Sequence, residues 1–488
     1  MSPTAEQNGT DSSSIHTIPL LIDNKPQTSS KTFPVHSPSN GAHLHNCSSA
    51  SSADIERVLT SAQSAFPAWR TVRPPQKRDI FHRAAELFLS EKQTLIDAIV
   101  TETGATVDWA EFNLRLAREI ILDVAGRIAT ISGSMPATAV PGTSALVYKE
   151  PYGVILAIAP WNAPYILGVR SIAYALGAGN CAVMKAPEFS PLCSYHICRI
   201  FQEAGIPEGV LSFVAHSPSD AAEVTRQLIE SPIIKKVNFT GSTRVGRIIA
   251  ETAGRSLKPV LLELGGKASS IVWEDAELEF AARECARGAF KHAGQICMST
   301  ERVLVHEGIL EKFEKAFAAA TQELYPGPAT LINAPSVSKN HSLINDALSK
   351  GARIIHPAQS SSSSPSENST TMTPTILTSI TPEMDIYRTE SFGPSVSLIP
   401  FKTEEEAIRI ANDTEYGLSC GIFTENLALA LRIAKSVESG AVHVNGVNAS
   451  VHDEAGLPHG GVKDSGWGRF GSGGLDEWVR SKTVTFRD

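Results

Sequence analysis

Three side chains of this sequence stand out for the chemistry they could do. Cys297 lies in "HAGQICMSTER" (His292–Arg302), with glycine and glutamine before it and small or hydroxylated residues after it. A thiolate is a strong nucleophile, but an isolated cysteine is more often a small residue packed in a core. Glu263 lies 34 positions earlier in "LELGGK", a carboxylate in an apolar strand beside two glycines. Charged groups in apolar strands seldom lack a partner or a task. Asn162 follows an apolar strand in "APWNAP", where asparagine is also an ordinary turn former.

A fourth stretch points to phosphate. In "NFTGSTRVG" (Asn238–Gly246) a strand runs into Gly241-Ser242 and then a helix. Free N–H groups at a helix start attract phosphate oxygens, although Gly-Ser-Thr also serves as a plain helix cap. A second glycine motif, "GAGNCA" (Gly177–Ala182), has the G-x-G-x-x-A spacing of a dinucleotide fingerprint. It follows a helix and opens a strand, the reverse of what that fingerprint requires, so helix termination by glycine is its expected role.

These residues need a framework, and the chain supplies strand–helix alternation. "GVILAIAP" is a continuous apolar run of the kind buried on both faces. "SIAYALGAGN" reads as helix, "CAVMKAP" as strand, "PLCSYHICRIFQEAGI" as helix, "KKVNFTGS" as strand and "TRVGRIIAETA" as helix. This pattern predicts an α/β protein with a parallel, doubly wound sheet. A second series begins at "KPVLLELGGKASSIVW" and continues to about residue 450. Before the first series, "IPLLIDNKPQ" reads as a short hairpin, Ala53–Arg70 as a helix with Asp54 near its cap, and Arg78 to about Arg127 as a long helical region. Ser132–Pro151 has two prolines and small residues before an alternating strand, as in an arm or connector. Ser360–Ser364 begins a low-complexity stretch expected to form a surface loop. There is no internal repeat.

Bulk composition narrows the function classes. A length of 488 residues implies more than one domain. Net charge −8 and a pI near 6.0 leave no broad basic surface for nucleic acid, and no Lys/Arg block suggests membrane attachment. Seven cysteines are scattered without paired or zinc-ligand spacing, the usage of reduced thiols in an intracellular protein with no metal site. Asn368 heads a glycosylation sequon of little meaning without a signal peptide. The polar N-terminus, residues 1–17, reads as a disordered tail, no apolar run reaches transmembrane length, and a cytoplasmic location is expected.

Taken together, "APWNAP", "FTGSTRVG", "LELGGK" and "GQICMSTER" resemble the aldehyde dehydrogenase superfamily, and "ESFGP" (Glu390–Pro394), "ANDTEYGL" (Ala411–Leu418) and "GGVKDSGWGR" (Gly460–Arg469) follow in the family's order. The resemblance runs from about residue 18 to the C-terminus. It implies a Rossmann-like NAD-binding domain over 18–131 and 152–262, a catalytic domain over 263–470, and a small β oligomerisation domain over 132–151 and 471–488. It also implies that Cys297 attacks the aldehyde to give a thiohemiacetal and that Asn162, with the Cys297 N–H, stabilises the oxyanion. Hydride then passes to the nicotinamide, and Glu263 activates the water that hydrolyses the thioester. The cofactor is NAD, with contacts implied at Ile158, Ala159, Pro160, Trp161, Lys185, Glu188, Gly241, Ser242, Gly246, Leu264, Glu390 and Phe392. A carboxylate at Glu188, near the adenosine ribose, would repel the 2′-phosphate of NADP.

"GQICMSTER", "GVNASVHDE" (Gly446–Glu454) and "PWNAPYILGVRSIAYAL" look most like the branch that oxidises aromatic aldehydes such as salicylaldehyde, benzaldehyde and vanillin. Arg170 stands where relatives with aliphatic substrates carry an aromatic, and it is either an aid to a phenolic oxygen or a surface arginine. His459 replaces an aromatic near the substrate tunnel and suggests a hydrogen bond to an oxygenated aldehyde; His292 replaces the usual asparagine, and Leu324–Val337 is shortened. The expected activity is NAD-dependent oxidation of a hydroxylated aromatic aldehyde, from aromatic catabolism or a polyketide-type pathway. Two rivals are a CoA-acylating dehydrogenase, which needs no water-activating base, and a non-catalytic protein that keeps the fold. The arm near Ser144–Lys149 and the C-terminal Ser481–Asp488 resemble elements that build a homodimer or homotetramer.

Overall fold

A computed structural model describes residues 16–357, 369–471 and 473–488. The serine-rich stretch, Asn368 and residues 1–15 of the expected tail lie outside them. Thr17, counted with that tail, instead pairs with Asn46 in a three-stranded sheet.

The first large sheet has five parallel strands at its centre. Val154–Ile158 pairs on one side with Cys181–Lys185 and then Leu211–Val214, and on the other with Ile234–Thr240 and then Val260–Glu263. The chain therefore leaves the first strand toward one edge and later returns to build toward the other. The order reverses between Val154–Ile158 and Ile234–Thr240, and ligands of such sheets bind at the carboxyl ends flanking that reversal. Asn162 and Gly241 follow those two strands directly. Antiparallel strands close both edges: the hairpin Leu20–Ile22/Lys25–Gln27 and the short strand Gly466–Trp467.

The second large sheet holds Ala268–Val272, Thr300–His306, Thr375–Thr378, Ser395–Phe401, Ser419–Phe423 and Ala441–Val444 in parallel, with Arg353–His356 antiparallel at one edge. Only Leu264 to Lys267 separates Glu263 from this sheet. The two sheets are thus joined where the chemistry-bearing glutamate sits.

Two helix expectations are corrected. The first helix is Ser52–Trp69, capped by Ser51; Asp54 lies one turn in and accepts from the Ser51 N–H, completing a capping box. The long helical region is three helices, Pro74–Ser90, Lys92–Thr103 and Val107–Arg127. Gly104 ends the second in the left-handed conformation (φ 67°), and Thr106 caps the third. At "GAGNCA", Pro164–Gly177 is helix and Gly179 turns at φ 93°, which is helix termination as expected.

Thr143–Pro151 and Val479–Arg487 form a two-stranded antiparallel ribbon. Tyr148, Val484 and Phe486 on it are 48%, 39% and 43% exposed, an apolar side that this chain alone leaves uncovered.

Gly466 decides how the edge strand meets Glu263. Its φ is +101°, and an added Cβ would stand 2.1 Å from the Leu262 carbonyl oxygen. We expect Gly466→Ala to cost about 2 kcal/mol or more through strain and clash, read as a lower thermal unfolding midpoint. An unchanged midpoint would contradict this packing.

Candidate active site

The helix Leu278–Phe290 delivers the chain to an irregular segment before Thr300. There His292, Ala293 and Gly294 have φ of 48°, 56° and 71°, three successive left-handed residues that turn Cys297 toward the first sheet. Histidine and asparagine both tolerate this conformation better than most residues, which accounts for His292 where asparagine is usual. The His292 ring stacks on Trp109 at 5.2 Å and 14°, and burial pulls its pKa down to about 3, so it is neutral. Gln295 clamps the segment: Nε2 donates to the His292 and Thr330 carbonyls, and Oε1 accepts from the Ile332 N–H. A Cβ at Gly266 would stand 2.1 Å from the Cys297 carbonyl oxygen, so that glycine permits the loop's approach.

All seven cysteines are unpaired; six are buried and Cys297 alone is half-buried. Its Sγ donates to Glu263 Oε1 at 3.0 Å. Asn162 is held by Nδ2 donating to the Gln295 carbonyl at 2.9 Å, while its own carbonyl accepts from Trp109 Nε1 at 2.9 Å. An amide nitrogen carries two N–H groups, so one remains for another acceptor. Cys297, Asn162, Gly241, Ser242, Leu264, Pro160, Trp161, Glu390 and Phe392 line one cavity of about 250 Å³.

Burial and the neighbouring Glu263 charge push the Cys297 thiol well above its ordinary pKa. Burial alone would also raise Glu263, but His459, Cys297 and Arg170 outweigh it and hold the carboxyl below its usual range. The pair therefore rests as thiol and carboxylate, since two adjacent negative charges are disfavoured.

The remaining cofactor candidates lie along the same carboxyl edge. Ile158 and Ala159 are buried at the end of their strand. Ser242 caps the helix Thr243–Arg255, and Gly246, one turn on, lets it pack against Leu264: a Cβ would stand 2.5 Å from Leu264 Cδ2. Gly246 thus acts through helix packing and does not line the cavity. Lys185 ends the next strand, buried and lowered to about 8, with half-buried Glu188 opposing that shift; neither lines the cavity. Glu390 Oε1 accepts from the Gly266 N–H at 2.8 Å, and burial, followed by the Glu301 charge, pushes it up to about 7. Phe392, at φ 49°, meets the Trp161 ring edge-on at 6.0 Å. Buried Glu301 fixes this loop by accepting from the Ser391 and Phe392 N–H groups and from Lys267 Nζ. An open helix N-terminus, an apolar wall and a carboxylate, all converging on the thiol, fit the nicotinamide half of a dinucleotide.

On the other side, a cavity of about 590 Å³ is lined by Trp109, Phe112, Lys291, Val451 and Asp453, among others. Lys291 Nζ stands 5.2 Å over the Phe112 ring. Arg170 is 2% exposed, which overturns the surface reading; its Nη2 bonds both Asp453 oxygens at 2.7 Å. His459 is 8% exposed, with Nε2 3.7 Å from Glu263 Oε1 and Nδ1 3.9 Å from Asp453 Oδ1. Ser450 Oγ donates to the Met298 carbonyl, tying the Gly446–Glu454 loop to the cysteine segment. Trp109, Lys291, Gln295, Glu301 and Asp453 were not singled out from sequence. A buried arginine's need for a counter-charge was the available signal for Asp453, but spacing does not reveal a partner 283 residues away.

The aldehyde dehydrogenase family model matches residues 25–484. The chain belongs to the aldehyde dehydrogenase family. It is 39% identical to a vanillin dehydrogenase of Pseudomonas fluorescens, over 96% of this chain and 98% of that protein. It is 37% identical to a salicylaldehyde dehydrogenase of Pseudomonas putida, over 93% and 94%. Among solved structures, a Pseudomonas putida salicylaldehyde dehydrogenase complexed with salicylaldehyde superposes with a TM-score of 0.93 at 36% identity, covering 97% of this chain and 98% of that one. A Staphylococcus aureus betaine aldehyde dehydrogenase in complex with NAD+ gives 0.90 at 28%, covering 96% and 94%. The protein is therefore an NAD(P)-dependent oxidoreductase acting on an aldehyde, with an α/β aldehyde dehydrogenase fold. No helix among the described residues is long and apolar enough to cross a membrane.

Proposed function

We propose that this aldehyde dehydrogenase oxidises hydroxylated aromatic aldehydes to carboxylic acids, with Cys297 as nucleophile and Glu263 as base. The observation that carries this reading is the 3.0 Å hydrogen bond from Cys297 Sγ to a carboxylate in a cavity shaped for a nicotinamide. As Sγ bonds the carbonyl carbon, the thiol proton passes to Glu263. The free Asn162 amide N–H and the Cys297 N–H donate to the developing oxyanion, a contribution of about 10²–10³-fold per donor in comparable sites. Bound at the sheet reversal, NAD supplies the hydride acceptor. Loss of hydride from the thiohemiacetal carbon restores the carbonyl as a thioester on Cys297. After releasing the thiol proton to solvent, Glu263 is again a carboxylate and takes a proton from the water that attacks this thioester, and Sγ leaves as the thiolate.

For the cofactor, Ser242 and the helix behind it would hold the pyrophosphate, Glu390 would accept from the nicotinamide ribose, and Phe392 would pack beside the ring. Glu188 favours NAD over NADP. On the substrate side, Trp109 and Phe112 offer flat faces for an aromatic ring, Lys291 offers a donor for a ring substituent, and the named relatives act on aromatic aldehydes. The division into 18–131 with 152–262, 263–470, and 132–151 with 471–488 is part of the same proposal. So is assembly into a homodimer or homotetramer through the exposed ribbon. The enzyme is proposed to work in the cytoplasm.

The test is a screen of aliphatic and hydroxylated aromatic aldehydes with NAD and with NADP. We expect NADH formation with kcat/KM at least about 10-fold higher for the aromatic set, and none from Cys297→Ala. Turnover in that variant, or preference for aliphatic substrates, would contradict the proposal. Deleting residues 481–488 is expected to give monomers or aggregates with weakened activity in light scattering; an intact protein that is an active monomer would refute the assembly.

A further inference from the structure

One buried cluster is left over by the reaction as described. Glu263 Oε1 is engaged by Cys297, but Glu263 Oε2 and His459 Nε2 are both buried without a hydrogen-bond partner among the described residues. Buried polar atoms in that state are costly and uncommon. His459 Nε2 stands 3.7 Å from Oε1 of the same carboxylate. Their meeting is built into the fold. His459 exchanges backbone hydrogen bonds with Phe470, and between them Gly466–Trp467 pairs with Leu262 and Glu263. Behind the imidazole, Asp453 lies 3.9 Å from Nδ1 and is itself fixed by both bonds from Arg170. His459 lines neither of the two cavities, which speaks against direct contact with a substrate substituent.

Glu263 is needed twice as a carboxylate: first to accept the thiol proton, then to accept a proton from water. After the first use it carries a proton that must leave before the second. We propose that His459 is a positioning residue for Glu263: its Nε2–H, braced by Asp453, faces the carboxylate and favours its anionic form during release of the acyl group from Cys297. This inference rests on the assignment of Glu263 as the base.

The surrounding charges agree. Glu263 sees His459, Cys297 and Arg170, and against its own burial these hold it below its ordinary range. His459 sees Glu263 and Asp453, with His443 nearby; the His443 ring lies 4.7 Å from that of His452, tilted by 44°, and His452 pairs with Glu454. Glu390 faces Cys297 from the cofactor side. Among these groups His459 is the one aimed at the Glu263 carboxylate besides the thiol. Removing it raises the Glu263 pKa, so less carboxylate is present at a given acid pH.

The test compares the wild-type enzyme with His459→Phe and His459→Gln in pre-steady-state NADH release and in kcat against pH. In His459→Phe the first-turnover NADH burst, read at a pH above the acid limb, is retained, while the acid limb of kcat moves alkaline by about one pH unit, a tenfold loss on that limb. KM for the aldehyde changes little. His459→Gln, which keeps an N–H donor of similar reach, recovers part of the shift and carries the test if the phenylalanine variant does not fold. An unmoved acid limb with a raised KM for hydroxylated aldehydes would overturn the proposal in favour of substrate contact. Loss of the burst in a folded variant would overturn it too. A wild-type enzyme with no NADH burst would instead sink the underlying assignment along with it.

Discussion

A half-buried thiol and a fully buried carboxylate 3.0 Å apart share one negative charge between them. That constraint shapes the rest of the site. Under the proposed mechanism it keeps Cys297 protonated until a carbonyl arrives, and the thiol proton then moves to Glu263. It also makes the state of Glu263 depend on whatever else touches it. The protein surrounds that carboxylate with the Arg170–Asp453 pair and the His459 imidazole, which offset burial without placing a full cation in contact with it.

Bringing the pair together requires both sheets. Glu263 ends the last parallel strand of the first sheet, and Cys297 precedes the second strand of the other. Two small residues make the approach possible: Gly266 leaves room for the Cys297 carbonyl, and Gly265 leaves room for the Glu390 carboxylate. The left-handed run at His292–Gly294 then turns the thiol inward. On one side of the pair lies the strand-order reversal, and on the other an aromatic vestibule.

Much of this was legible in the residues. The alternation of apolar strands with amphipathic helices marked the first sheet, and the order strand–Gly-Ser–helix distinguished a phosphate turn from the reversed "GAGNCA". Cys297, Glu263 and Asn162 were found by local pattern combined with family resemblance, and they do converge. What escaped were properties set by distant neighbours. The carboxylate that bonds the Cys297 thiol is 34 residues away, and local pattern does not place it there. Arg170 was undecided between surface and site because its partner Asp453 is 283 residues away. His459 was assigned toward substrate because its position suggested the tunnel; pairing of Gly466–Trp467 with the Glu263 strand brings its Nε2 to 3.7 Å from Glu263 Oε1. The helix breaks near Glu91 and Gly104 were missed because a continuous helical period masks short caps.

The central claim is that one carboxylate serves the thiol and then the water on the same sulfur. It is tested most directly by incubating a Glu263→Gln variant with NAD and a hydroxylated aromatic aldehyde, then reading the mass of the peptide containing Cys297. Glutamine keeps the shape but cannot take a proton from the thiol or from water, so the account predicts an unmodified Cys297 and no NADH; an acyl adduct accumulating on Cys297 would show that the carboxylate serves the water alone. Sustained multiple turnover by that variant, or an acyl group on any residue other than Cys297, would contradict it.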